Sequence, residues 1–236
     1  MNNRQIIFFL SVALFFAGCT SKSGRNNKHS KTHDNVINSA NHTKEGSKIA
    51  GEEIFDCPPE GNAQQEILQE LNVLKNRSNI PDVKDFDMNV SLQTLLNKGD
   101  DTYRWNVKSA AKITGYVRDV KPGSIETANC KSKDLISRDT HIELVQNPMS
   151  AEKNESVIVE ITPRLRKIMA AKGEDWSTSM IRSKYLGRWV EIEGWLLFDF
   201  EHTDMAENTH PGNPKNWRAT AWEVHPITSI KTSDKH

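Results

Sequence analysis

The stretch from Trp189 to Phe200 constrains the fold of this chain more than any other segment. Val190, Ile192, Leu196, Phe198 and Phe200 fall on one side, and Glu191, Glu193 and Trp195 on the other. A two-residue apolar period marks a strand with one face in a core. A helix would repeat its apolar positions at three and four residues. The body of the chain must therefore fold around a sheet.

Four further segments read the same way. Val107 to Val120 carries Ile113, Gly115 and Val117 and runs into a Lys121-Pro122-Gly123 turn. Thr140 to Val145 sets Ile142 and Leu144 against His141 and Glu143, and Val157 to Ile161 is a compact apolar run. Arg218 to Ile230 sets Trp222 and Val224 against Glu223 and His225. Between the third and fourth strands, Pro163 opens a helical stretch with Leu165, Ile168 and Met169 at helical spacing. Met180 to Leu186 resumes it after Gly173. Three strands, a helix and two strands make the element order of an OB-like five-stranded barrel, a mainly β fold. Gly115 and Gly194 are expected where such a barrel bends. The alternative is an open α+β sheet.

Ahead of the strands, Ile67, Leu68, Leu71 and Leu74 place an apolar stripe on one helix. Ser91 caps a second short helix that ends near Gly99. These form a helical appendage over residues 53–102, followed by the OB-like β domain over 103–232. Together they span about 180 residues, the size of one domain. Residues 19–52 are rich in Asn, Ser, Lys and His and too poor in apolar residues to offset the entropy of ordering. They read as a disordered tether.

The first residues have a different character. Arg4 precedes an uncharged apolar run, Ile6 to Phe16, and Phe16-Ala17-Gly18 leads to Cys19. A charged start, a short apolar run and small residues before a cleavage point make a secretory signal. With the cysteine in that position it resembles a bacterial lipoprotein signal over residues 1–18. That resemblance implies cleavage before Cys19 and acylation of Cys19, anchoring the chain to a membrane through lipid. The run is shorter than the ~20 residues a spanning helix needs. Thr20, rather than Asp, follows Cys19, which by analogy with Gram-negative sorting suggests the outer membrane, facing the periplasm.

Lys plus Arg and Asp plus Glu both number 31. A balanced charge provides no electrostatic footing for nucleic acid, so a nucleic-acid partner is not expected. The basic residues Arg164, Arg166, Lys167 and Lys172 read as a solvated helical face. With Cys19 acylated, Cys57 and Cys130 remain as an even pair in a compartment that permits a disulfide; separately buried thiols are the alternative.

His141, Glu143, Asp199, His202, Glu223 and His225 are the polar residues with the sharpest chemistry. Imidazole and carboxylate ligate Zn²⁺ and related divalent ions, and these six lie on or at the ends of three strands. Their spacing matches no metal signature, and in an OB-like barrel the second strand borders neither the fourth nor the fifth. The plainer expectation pairs the histidines with carboxylates or backbone on a wet face, with no cofactor and a divalent metal as the competing possibility. Trp195 and Trp217, with Arg218 beside them, are candidate ligand-binding residues, since OB-like barrels stack ligands on aromatics. Trp222 shares a side with Val224 and belongs to the core.

Several segments occur in one order: Asp139-Thr140-His141-Ile142-Glu143-Leu144, then Gly194-Trp195-Leu196-Leu197-Phe198-Asp199 with His202, then Asn216-Trp217-Arg218-Ala219-Thr220-Ala221-Trp222-Glu223-Val224-His225-Pro226. Together with Cys57-Pro58-Pro59 and Leu71-Asn72-Val73-Leu74 they resemble a group of uncharacterised bacterial exported proteins. The resemblance implies export and no particular activity. The expectation is an envelope-anchored lipoprotein with an OB-like binding domain for a small-molecule, saccharide or protein ligand. The competing expectation is a metal-dependent hydrolase using His141, Glu223 and His225.

Overall fold

The computed structural model describes residues 57–234. The signal over 1–18, Cys19, the tether over 19–52 and the first residues of the appendage lie outside the described residues. No helix among the described residues is long and apolar enough to cross a membrane.

Among the described residues, five strands form: β1 (Ala110–Pro122), β2 (Thr140–Val145), β3 (Val157–Ile161), β4 (Trp189–Phe198) and β5 (Trp222–Thr232). They close into a barrel in the order β1-β2-β3-β5-β4, with β4 pairing back onto β1. All pairings are antiparallel except a short parallel one, where Ile158 meets Glu223 and Val159 meets Val224. Closure rules out the open sheet. It also removes the exposed strand edges that an open sheet would have to protect.

β1 runs through Lys121 and Pro122, where a turn was expected, and Pro122 pairs with Thr140. At the last rung of a strand, the missing proline N–H costs little. Gly194 performs the expected bend. The β4–β5 register shifts on both sides of it, and a Cβ there would lie 2.4 Å from the Pro226 carbonyl oxygen. Gly115 serves another purpose. A Cβ there would lie 2.7 Å from Leu92, so this glycine lets a helix approach the barrel.

The barrel interior is filled by Ile113, Val117, Ile142, Leu144, Val159, Ile161, Ile192, Leu196, Trp222 and Val224. Helix α2 (Leu92–Leu96) contributes Leu92 and Leu95 to that core. The expected helix between β3 and β4 is two helices, α3 (Pro163–Ala171) and α4 (Thr178–Tyr185). Thr162 caps α3 by accepting from the Leu165 N–H, and Ser177 caps α4 by accepting from the Met180 N–H. Leu165 and Met169 of α3, with Ile181 and Tyr185 of α4, seal the barrel. Arg166 is no solvated face residue. Its guanidinium donates to Thr140, Thr178 and the Ile136 and Arg138 carbonyls.

The helix ahead of these, α1 (Glu66–Lys75), docks by a face the apolar stripe does not announce. Ile67 is exposed, and the residues turned inward are Leu71, Asn72 and Lys75. Asn72 Nδ2 donates to the Glu60 carbonyl and to Thr127, and Asn76 Nδ2 to the Pro59 and Ala128 carbonyls. Arg77 donates to carbonyls of Leu74, Val107, Leu196 and His225. Cys57 and Cys130 form a disulfide with Cα atoms 5.8 Å apart. The appendage is thus stapled and hydrogen-bonded to the barrel as one unit with it.

Candidate functional site

In β2, β3 and β5 the inward positions are Ile142, Leu144, Val157, Val159, Ile161, Trp222 and Val224. Alternation therefore turns His141, Glu143, Ile158, Glu160, Glu223 and His225 onto the outer wall. Outer-wall residues normally meet water. Here Ile158 and His225 are 0 % exposed and Glu223 is 2 % exposed. The wall is covered by α1, by the β1–β2 connection carrying Glu126, and by the long β4–β5 connection carrying Asp199, His202, Trp217 and Arg218.

The expected residues meet on this wall rather than across the barrel mouth. The reason is β3, which lies between β2 and β5 and contributes Glu160. His141 and Glu160 are register partners, and His141 Nδ1 is 2.7 Å from Glu160 Oε1. On the other side, His225 Nδ1 is 3.1 Å from Glu223 Oε2 and 3.6 Å from Glu160 Oε2, and its Nε2 is 3.7 Å from Asp139 Oδ2. Arg218 Nη1 donates to Glu223 Oε1 at 2.7 Å. Asp199 accepts from Lys75 Nζ at 2.8 Å and lies 3.0 Å from His202 Nδ1. Lys75 also reaches Glu126 at 2.9 Å.

Sequence reasoning missed Lys75, Glu126, Asp139 and Glu160. A signal existed for Glu160: it is the one charged residue inside the run Val157-Ile158-Val159-Glu160-Ile161, all of it buried. A carboxylate is almost never fully buried without a partner.

Three expected site residues play other parts. Glu143 pairs with Arg118 and Lys121 at the edge of the wall, and its Oε1 is 3.9 Å from His141 Nε2. Trp195 is no ligand platform. It is 7 % exposed, its indole N–H donates to the Asn79 carbonyl, and the Arg77 guanidinium covers its ring. The segment after α1 has taken the surface that alternation assigned to solvent. Arg218, 0 % exposed, is committed to Glu223 and to the Thr220 carbonyl, so it offers nothing to an outside ligand. The histidines do pair with carboxylates, but the face is dry rather than wet.

Trp217 is half-buried and joins the buried layer to the surface. Its ring lies 5.7 Å from the His141 ring and 5.6 Å from the His202 ring, with the Arg218 guanidinium 5.3 Å away. It also lines an open cleft of about 460 Å³ with Arg118, Asp119, Lys121, Glu143 and Lys153.

Burial disfavours every charge in this layer, and their mutual placement decides which survive. Burial works against the Lys75 ammonium, yet Asp199 and Glu126 hold its pKa well above the ordinary lysine value. Asp199, despite burial, is held far below the carboxylate range by Lys75 and His202. Glu223, buried but facing Arg218 and His225, falls to about 2. His225 is opposed by burial, but its bond to Glu223 and the charges of Glu160 and Asp139 push it up to about 9. Asp139 is raised to about 7 by burial and by Glu160 and Glu126, with only partial relief from His225.

Among the described residues, two sets of donors are close enough to hold a metal ion: Asp139, Glu160 and His225, and Asp199, His202 and Glu223. In both, imidazole is combined with carboxylates, which suits borderline divalent ions. Comparison of the whole chain with protein-family models and with curated proteins gave no match, so the chemistry of the wall stands on its own residues.

Proposed function

We propose that this chain is an envelope-tethered binding module, anchored through Cys19 and taking an anionic saccharide in the cleft floored by Trp217. The observation that carries this reading is the position of Trp217. It lines the open cleft while its ring also contacts the rings of His141 and His202. The cleft is built from β1, β2, the β2–β3 loop and the β4–β5 connection, close to the region OB-like barrels use for saccharides and oligonucleotides. Arg118, Lys121 and Lys153 face Asp119 and Glu143, three cations against two acids. That surplus favours a carboxylated or phosphorylated sugar over a neutral one, while the balanced charge of the whole chain argues against nucleic acid.

Hydrolysis at a divalent ion held by His141, Glu223 and His225 is supported less well. A catalytic ion keeps an open coordination position for water or substrate. Glu223 and His225 are shut beneath Arg218 and the appendage.

Calorimetric titration of the full chain in detergent with a hexuronate trisaccharide tests the binding reading. Saturable binding is expected, weakened at least tenfold by Trp217→Ala and by Lys121→Ala with Lys153→Ala, and absent for maltotriose. No saturable binding, or affinity untouched by Trp217→Ala, overturns it.

A further inference from the structure

We propose that Asp139, Glu160 and His225 bind a divalent transition ion, Zn²⁺ or Mn²⁺, within the covered outer wall. The proposal is independent of the saccharide reading.

One donor atom from each residue lies within 4.8 Å of the other two. Donors on a four-coordinate ion with bonds of about 2.0–2.2 Å stand roughly 3.3–3.6 Å apart. Side-chain shifts of about 1 Å therefore bring this set onto an ion. His225 is prepared as a ligand. Its Nδ1 is engaged by the Glu223 carboxylate, the arrangement that fixes a metal-binding imidazole and raises its basicity. Its Nε2 is buried with no hydrogen-bond partner, on the side of the ring where Asp139 lies. Asp139 Oδ1 is also buried and without a hydrogen-bond partner. Such atoms cost free energy unless something coordinates them.

The neighbouring set sharpens the assignment. In Asp199, His202 and Glu223, the positive charge is built into the chain. Lys75 Nζ lies on Asp199, and Arg218 lies on Glu223. The ion-pair partners of Asp139 and Glu160 among the described residues are imidazoles alone. One set thus has lysine and arginine in direct contact; in the other, Lys75 and Arg166 act on Asp139 from beyond ion-pair distance, and His225 Nε2 faces Asp139. Glu160 Oε1 is held by His141, and its Oε2 stands 3.6 Å from His225 Nδ1, so this carboxylate turns toward Nε2 to reach the ion. The site is closed, so the ion's role is to balance charge and lock the wall, with stability as its consequence.

The test uses the full chain, with His29, His33 and His42 replaced by Asn to remove competing imidazoles in the tether. After stripping with a chelator and dialysis against Zn²⁺, elemental analysis should give one ion per chain, and the melting temperature should rise with free Zn²⁺. Asp139→Asn and Glu160→Gln should lose the ion, while His202→Gln should keep it. If a variant fails to fold, the Co²⁺-loaded parent decides. It should show one paramagnetically shifted, exchangeable imidazole N–H, that of His225 Nδ1 shielded by Glu223. A folded parent that takes up no ion, an ion retained in Asp139→Asn, an ion lost with His202→Gln, or a Co²⁺ form without that resonance would each overturn the assignment.

Discussion

Lys75 carries its ammonium into a wall of carboxylates, 2.8 Å from Asp199 and 2.9 Å from Glu126. Removing one member of a buried ion pair strands the other, which typically costs about 3–5 kcal/mol. Lys75→Met should therefore lower the unfolding free energy by about that much in urea titrations. Loss of less than about 1 kcal/mol would mean water already reaches the group. The same pairing sets an acid dependence. The folded pKa of Asp199 lies far below the unfolded value of about 3.9, so its contribution is complete above that pH and fades as pH falls. The urea midpoint should begin to fall at about pH 5 and keep falling below about pH 3, and Asp199→Asn should show a shallower drop. An unchanged slope in Asp199→Asn would show that other carboxylates govern acid unfolding.

Among the elements, strands were the legible part and the covering pieces were not. Alternation in Trp189–Phe200 and Thr140–Val145 reflects a local steric rule, so a single sequence displays it directly. Gly194 announced a bend because only a residue without Cβ fits against the Pro226 carbonyl. By contrast, α1 docks through Asn72, Lys75 and Asn76, whose partners lie more than fifty residues away at Glu126, Thr127 and Ala128. A polar face that finds its partners only in three dimensions looks like a solvent face in sequence. Trp195 misled for the same reason. Its outward parity was right, and a later layer covered it. The Cys57–Cys130 bond closes a loop with a sequence separation of 73 residues. Chain-entropy reasoning gives such a loop about 4 kcal/mol. Cys57→Ser with Cys130→Ser should destabilise the body by 2–5 kcal/mol, or about that, and expose Ile67–Arg77 to proteolysis first. Thiol labelling of native protein under denaturing, non-reducing conditions should find neither cysteine free.

At the scale of the whole molecule, an OB-like barrel carries its chemistry on the outside of its wall and hides it under its own N-terminal segment and β4–β5 connection. The barrel was legible from element order. The dry polar layer was not, because burial of an outer wall is a property of the assembled chain. Anchoring belongs to this scale too. We expect intact-mass analysis of the membrane fraction to give a chain beginning at an acylated Cys19. A product that retains residues 1–18, or an unmodified Cys19, would refute the anchor.

Arg77 gathers carbonyls from Leu74, Val107, Leu196 and His225, the last of them 148 residues further along the chain. That fan of bonds imposes a timetable. The ribosome makes Arg77 early, yet its partners are complete only after β5 has been translated. Lys75 likewise waits for Asp199. Until then, α1 can meet only the β1–β2 connection at Glu126, Thr127 and Ala128, and the carboxylates of the wall remain in water, where their charges are inexpensive. Loop closure over such distances is slow. The wall can therefore shed its water only once segments from both ends of the described chain are present.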